Sequence, residues 1–131
     1  MIYGIGLDVQ LIPQLKGVVE GRDESYLQKI FTPDEITYCS KYRKPEQHFA
    51  GRWAVKEAYL KAIGTGISGG YRLSDIETIR LSSGQPHIIL HGRVLEHFRE
   101  HHLRAFVSIT HSGDYAAAQV ILEHQQEDEL T

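Results

Sequence analysis

The feature that most constrains the fold is a row of small side chains in the stretch "FAGRWAVKEAYLKAIGTG", Phe49 to Gly66. Alanine recurs there every fourth residue, at Ala50, Ala54, Ala58 and Ala62. This spacing places the alanines on one face of a helix, where they form a smooth surface. We therefore expect a helix over residues 49–63, ended by Gly64 in a left-handed cap, with another element packed closely against it.

A second row on this helix carries charge. Trp53, Glu57 and Lys61 also recur every fourth residue, so Glu57 is expected at the margin of the packed face, where a carboxylate needs a partner. Lys61 could supply an ion pair along the helix worth about 0.3–0.5 kcal/mol. Alternatively, Glu57 and Asp8 meet as oxygen ligands for Mg²⁺, while Lys61 and the backbone amides of the "GTG" segment, Gly64, Thr65 and Gly66, contact phosphate. The residues by themselves leave both readings open.

The remaining patterns predict an α+β chain. The stretch "IYGIGLDV" alternates as a strand, with Tyr3, Ile5, Leu7 and Val9 on one side and Gly4, Gly6 and Asp8 on the other. Thr32 as N-cap, Pro33 at the first helical position and Glu35 three residues after the cap predict a helix start. Further helices are expected near residues 11–20, 25–30 and 93–102, and strands in "PHIILHG" and on both sides of the turn "HSGD".

Composition excludes several classes of protein. The chain has 131 residues and a formal net charge of −3, which argues against general nucleic-acid binding. No apolar run approaches the roughly 18 residues of a membrane span, and the N-terminus lacks the pattern of a secretory signal, so we expect a cytoplasmic protein. No repeat or linker divides the chain, so we expect a single compact domain over residues 1–131, with a loose tail from about residue 125. The lone Cys39 is expected to be structural.

Six motifs occur in order along nearly the whole chain: "MIYGIGLDV", "FTPDE", "FAGRWAVKEAYLKAIGTGI", "DIE", "GQPHI" and "VSITHSGDYAAAQVIL". Together they resemble the holo-acyl carrier protein synthases, the short 4'-phosphopantetheinyl transferases of bacterial fatty acid synthesis. The resemblance implies the 4'-phosphopantetheinyl transferase fold, with helices packed on a mainly antiparallel sheet. It also implies a homotrimer with a coenzyme A site at each subunit interface.

The resemblance further implies a reaction, in which coenzyme A and an apo-acyl carrier protein give the holo-carrier protein and adenosine 3',5'-bisphosphate. It assigns Asp8 and Glu57 to Mg²⁺ and a catalytic role, and Lys61 to catalysis and a pyrophosphate contact that Arg52 could supplement. In addition, Thr110, His111 and Ser112 are expected to face the nucleotide, with His111 near its 3'-phosphate. The acceptor of the carrier serine's proton is left open between Glu57 and a water molecule.

Carrier docking departs from the family pattern, because Gln14 stands where an arginine is common. We expect Lys16 and Arg22 to attract the acidic carrier instead. Two other functions share the same residues. A Mg²⁺-dependent nucleotide pyrophosphohydrolase would cleave coenzyme A without a carrier, and a non-catalytic carrier-binding module would need no metal.

Overall fold

The computed structural model describes residues 1–21, 23–65 and 69–126, so the expectations for Arg22, Gly66 and the last five residues of the tail fall outside the described residues. The helices and strands, in chain order, are β1 (Ile2–Leu11), α1 (Ile12–Gly21), α2 (Glu24–Leu27), α3 (Pro33–Ser40), α4 (Pro45–Ile63), β2 (Ile76–Arg80), β3 (Pro86–Leu90), α5 (Gly92–Glu100), β4 (Leu103–Ser112) and β5 (Tyr115–His124). The tail was expected to be loose from about residue 125, but the Gln125 N–H donates to the His102 carbonyl at 2.9 Å.

The strands form two antiparallel sheets, which confirms the expected α+β fold. One sheet has the order β1-β5-β4, and the other is the hairpin of β2 and β3. Helix α4 lies across the three-stranded sheet and contacts β1 most extensively. Gly64 ends this helix with a φ of 90°, as predicted, although the helix begins at Pro45, four residues before the predicted start. Strand β2 was not predicted from the sequence.

The close packing expected of the alanine row is found between α4 and β1. A Cβ atom added to Gly6 would lie 1.7 Å from the Ala58 carbonyl oxygen, and one added to Gly4 would lie 1.8 Å from that of Ala62. Only glycine permits so short a distance between strand and helix backbones. The alanines and glycines therefore set the spacing between β1 and α4 within one chain.

Replacing Gly6 with alanine should lower the free energy of unfolding by about 3 kcal/mol, the upper end of the usual cost of overpacking. The added methyl group would meet backbone atoms, which cannot rotate away. Urea denaturation at fixed protein concentration measures the change. The control is Gly17→Ala in α1, where an added Cβ meets nothing within 4 Å, and helix propensity predicts a gain of up to about 1 kcal/mol. Equal stability of the two variants would contradict this account.

The other side of β1 is exposed. Ile5, Leu7 and Val9 have exposed fractions of 54%, 58% and 55%, and they share one sheet face as the alternation predicted. The prediction was wrong for Tyr3, because the strand register shifts between Ile2 and Gly4. Tyr3 packs instead against α5, where its hydroxyl lies 3.1 Å from Nε2 of His97. A row of apolar side chains thus remains on the outer face of the three-stranded sheet.

Helix α4 also buries two charged side chains, those of Arg52 and Lys56. Lys56 is fully buried, and its Nζ donates to Oε1 of Glu35 at 2.6 Å and to the carbonyls of Leu73 and Ile76. Glu35 completes the predicted capping box of α3, because its Oε1 accepts the Thr32 N–H at 3.0 Å. Burial lowers the pKa of Lys56, and the Glu35 carboxylate opposes that shift. This ion pair joins α3 and α4 to the residues that lead into β2.

Cys39 is completely buried, and burial raises the pKa of its thiol to about 12. At neutral pH the thiol is therefore protonated and a poor nucleophile. This environment agrees with the structural role expected from the sequence. In the part of the chain that the structure describes, no helix is both long and apolar enough to span a bilayer.

Candidate active site

Two carboxylates and one ammonium group meet where β1 crosses α4. Asp8 lies on the side of β1 that faces the helix, and Lys61 Nζ donates to its Oδ1 at 3.0 Å. The other oxygen, Oδ2, accepts a hydrogen bond from Gln10 at 2.7 Å. Glu57 accepts one from the Trp53 indole at 3.2 Å. The structure thus brings Asp8, Glu57 and Lys61 together in a single chain.

The electrostatics of this cluster favour a cation. Partial burial raises the pKa of Glu57, and the negative charge of Asp8 raises it further, while Trp53 and Lys61 act in the opposite direction. The negative charge of Asp8 makes the ionisation of Glu57 more costly, and a positive ion bound by both carboxylates would offset that cost. A metal cation bound here would therefore lower the electrostatic cost of the two carboxylate charges. The single positive charge of Lys61 does not cancel both of them.

The donor set fits Mg²⁺. Carboxylate oxygens are hard ligands, and Mg²⁺ commonly takes only one or two of them and completes its octahedron with water and substrate phosphates. Within residues 1–21, 23–65 and 69–126, no group of three or more histidine, cysteine or acidic side chains is arranged to hold a metal. Asp8 and Glu57 together suit a metal that shares its coordination with a phosphate substrate.

Of the two readings left open for Glu57, the ion pair along the helix with Lys61 is not found, because Lys61 pairs with Asp8. Lys61 Nζ donates to Asp8 and to the Leu7 carbonyl, both at 3.0 Å. An ammonium group has three N–H bonds, so one remains for a further acceptor. The side chain is half exposed, which leaves that N–H accessible to a substrate oxygen.

The Gly64 amide does not offer the phosphate contact that was expected of it, and Gly66 lies outside the described residues. The Gly64 N–H is used by the helix cap, where it donates to the carbonyls of Leu60 and Lys61. Gly64 also lies at the C-terminus of α4, the negative end of the helix dipole, which disfavours an anion. The Thr65 side chain lies against Gly69, whose added Cβ would be 2.5 Å from the Thr65 hydroxyl oxygen. Gly64 is therefore a cap and not an amide donor to phosphate.

A second cluster lies on another side of α4. Arg52, expected beside Lys61, is only 3% exposed, and its guanidinium lies over the Tyr38 ring at 4.2 Å. Five residues along a helix correspond to a rotation of about 140°, so Arg52 and Glu57 face different directions. Arg52 lines a cavity of about 70 Å³ with His111 and Arg80. Its Nε atom is buried without a hydrogen-bond partner among the described residues.

His111 and its neighbours in the strand point to opposite faces of the sheet. In β4, Thr110 pairs with Ala117, His111 with Ala116, and Ser112 with Tyr115. Because side chains alternate along a strand, the His111 ring lies on the face of the buried Ala116, whereas the Thr110 and Ser112 side chains lie on the outer face. The Thr110 and Ser112 side chains therefore do not share a face with the His111 ring, although Thr110 also lines the cavity of Arg52 and His111.

Several residues of these clusters were missed from the sequence. Gln10 shares a strand face with Asp8, so the period of two could have identified it. Arg80 had no such signal, because it lies in β2, which was not predicted. Gln47 and His48 also line the cavity, and the pKa of His48 is lowered by burial and then by the charges of Arg52, Arg80 and His111. The cavity is thus a positively charged environment that suits an anion.

The chain is similar to known proteins over nearly its whole length. Residues 4–120 match the 4'-phosphopantetheinyl transferase superfamily. A holo-[acyl-carrier-protein] synthase of Geotalea daltonii is 42% identical over 124 residues, which cover 94% of this chain and 99% of that protein. The crystal structure of the holo-[acyl-carrier-protein] synthase of Neisseria meningitidis superposes with a TM-score of 0.84 at 29% identity, covering 94% of this chain and 99% of that one. The Bacillus anthracis synthase, solved in complex with CoA (3',5'-ADP), has a TM-score of 0.78 at 31% identity over 95% and 99% of the two chains.

Proposed function

Since the chain belongs to the 4'-phosphopantetheinyl transferase superfamily, we propose that it transfers the 4'-phosphopantetheine group of coenzyme A to a serine of an apo-acyl carrier protein. The family resemblance seen in the sequence is confirmed, and relatives with this activity in their names span nearly the whole chain. The observation that carries the proposal is the meeting of Asp8, Glu57 and Lys61 at the contact of β1 with α4. The reaction is assigned to the cytoplasm, which cell fractionation would test.

In the reaction, the serine Oγ forms a bond to the phosphorus that carries pantetheine, and the bond from that phosphorus to the bridging oxygen of the pyrophosphate breaks. Adenosine 3',5'-bisphosphate leaves with the bonding electron pair, and the serine gives its proton to Glu57 or to a water molecule. Asp8 and Glu57 would hold Mg²⁺, which would neutralise the negative charge that develops on the phosphate oxygens. Lys61 presents its remaining N–H to the pyrophosphate and adds a second positive charge there.

The cavity of Arg52, Arg80 and His111 would bind the 3'-phosphate of coenzyme A. A buried guanidinium Nε without a partner is costly unless a ligand completes its hydrogen bonds. Arg52 therefore acts on the nucleotide, and the pyrophosphate is left to Lys61. Thr110 lines the same cavity, whereas the Ser112 side chain would reach a nucleotide from the outer sheet face, beside a neighbouring protomer.

The decisive experiment is intact-mass spectrometry of a bacterial apo-acyl carrier protein incubated with this protein, coenzyme A and Mg²⁺, beside an EDTA control. We expect the carrier mass to rise by one phosphopantetheine only when the metal is present. Consumption of coenzyme A without a change in carrier mass would favour the pyrophosphohydrolase. Carrier binding without either reaction would favour the non-catalytic module.

A homotrimer would explain the exposed face of the three-stranded sheet. Ile5, Leu7 and Val9 on β1 share that face with Phe106 and Tyr115, which are 47% and 56% exposed. A contiguous apolar face of this kind usually marks a protein interface. A trimer would also allow the carboxylates of one protomer and the nucleotide cavity of its neighbour to bind one coenzyme A molecule, since the two clusters face different sides of α4.

Replacing Leu7 with lysine should convert the trimer to monomers, because it puts a charge into the apolar interface. Size-exclusion chromatography with light scattering measures the mass. We expect transferase activity to be lost together with the trimer. Leu81→Lys is the matched control, because Leu81 is an exposed leucine in the turn between β2 and β3, away from this face. A trimeric Leu7→Lys variant, or a monomeric wild-type protein with full activity, would contradict the proposal.

Lys16 is proposed to attract the acidic carrier, since it is exposed on α1. Lys16→Glu should raise the Michaelis constant for the carrier about 2- to 5-fold at low salt, because exposed ion pairs contribute little each. The difference should shrink in high salt. Steady-state kinetics at saturating coenzyme A measure this, with Arg99→Glu on α5 as a charge-reversal control. A wild-type Michaelis constant that does not change with salt would exclude electrostatic docking.

A further inference from the structure

Gln47 makes a contact with His111 that nothing in the sequence indicated. Gln47 lies in the first turn of α4, and His111 lies near the end of β4, 64 positions later in the chain. The Gln47 Nε2 atom is 3.0 Å from Nε2 of His111. Both residues line the cavity that also contains Arg52 and Arg80.

The chemistry of the two groups determines the direction of this hydrogen bond. An amide nitrogen only donates, so Nε2 of His111 must be the acceptor, and the ring carries its proton on Nδ1. The bond therefore selects one tautomer and one orientation of the imidazole ring. His111 then has a single N–H, on Nδ1, with which to meet a ligand.

A histidine held in this state suits an anion site that already contains two arginines. Arg52 and Arg80 supply positive charge, and together with His111 they lower the pKa of His48, whose own burial lowers it most. Held by Gln47, the His111 ring adds an N–H donor in one fixed direction to the cavity. The orientation of the ring then contributes to the affinity for the anion.

We propose that Gln47 is a positioning residue, which holds His111 so that its Nδ1–H meets the 3'-phosphate of coenzyme A. The inference rests on the proposed function, since it takes coenzyme A as the ligand of the cavity. It assigns to Gln47 a part of the specificity for coenzyme A over 3'-dephospho-coenzyme A. Gln47 acts through His111 and does not touch the reacting atoms.

The test replaces Gln47 with leucine, which keeps the approximate size of the side chain and removes the amide. Loss of one neutral hydrogen bond should raise the Michaelis constant for coenzyme A about 3- to 10-fold and leave kcat unchanged. The Michaelis constant for 3'-dephospho-coenzyme A should not change, because that substrate lacks the phosphate. Gln28→Leu, an exposed glutamine beyond α2, is the matched control.

A double-mutant cycle separates positioning from a general structural effect. In a His111→Ala background, Gln47→Leu should cause no further change in affinity for coenzyme A. Equal losses for both substrates, or additive losses in the double variant, would overturn the inference. Binding of coenzyme A measured by calorimetry without a carrier repeats the cycle independently of transfer. Failure of the wild-type protein to modify the carrier would therefore count against the proposed function. Additive losses in the double-mutant cycle would count against the role of Gln47 alone.

Discussion

Replacing Glu57 with glutamine should lower the transfer rate at least about 100-fold at ordinary Mg²⁺ concentrations, because metal stabilisation of the transition state is worth several kcal/mol. Glutamine has nearly the same shape and can still accept the hydrogen bond from the Trp53 indole. The substitution therefore removes charge from the pair with Asp8 and leaves the packing of α4 intact. We expect the loss to come mainly from weaker metal binding, so that raised Mg²⁺ recovers part of the activity.

Trp53 provides a readout that does not depend on activity. It is the only tryptophan in the chain, and its indole donates directly to Glu57. Adding Mg²⁺ should change its fluorescence in the wild-type protein and not in the variant. Glu96→Gln, which removes an exposed carboxylate from α5, is the control for loss of one negative charge. Near-normal activity of Glu57→Gln at ordinary Mg²⁺ would contradict the metal assignment of both Asp8 and Glu57.

The second large effect concerns stability. Replacing Lys56 with methionine should lower the free energy of unfolding by about 3–5 kcal/mol, since it leaves the Glu35 carboxylate buried without its counter-charge. Among the described residues, Glu35 would keep only the hydrogen bonds from the backbone N–H groups of Thr32 and Thr78. Methionine fills most of the space of the lysine stem, so packing changes contribute little. Urea denaturation at a fixed protein concentration measures the loss.

Two controls identify the buried charge as the cause. The double variant Lys56→Met with Glu35→Gln should recover part of the stability, because the carboxylate charge is gone and the glutamine oxygen can still accept the Thr32 N–H. Lys29→Met, at an exposed lysine, should change stability by less than about 0.5 kcal/mol. A Lys56→Met variant as stable as the Lys29→Met protein would show that the buried pair contributes nothing.

The sequence predicted the fold best where local chemistry decides the structure. The capping box of Thr32 and Glu35, the left-handed cap at Gly64 and the two strands around "HSGD" were all predicted, because each depends on neighbouring residues. Strand β2 was missed, although it pairs along its whole length with the predicted β3. Strand β3 follows β2 after a short turn, so this hairpin is a local pairing that was missed, whereas the contact of Lys56 with Ile76 in β2 joins residues 20 positions apart.

In the candidate active site, too, some residues were identified from local patterns and others were not. Asp8, Glu57 and Lys61 were identified by the period of the strand and helix together with the family resemblance, and the structure brings them together. Arg52 was placed at the wrong cluster, because the sequence does not reveal which side of α4 faces Tyr38. The period of two separates the side chains of Thr110 and Ser112 from that of His111, whereas the family resemblance assigned all three residues to the nucleotide.

By itself, the sequence determined most of the elements, the small-residue contact surfaces and the acidic residues, because these follow from backbone periodicity and side-chain size. Only the tertiary structure decided the partners of the buried and half-buried charges. Lys56 pairs with Glu35, Lys61 with Asp8, and Gln47 with His111, across separations of 21, 53 and 64 positions. Such pairings depend on how helices and sheets pack in three dimensions, and no local pattern encodes them.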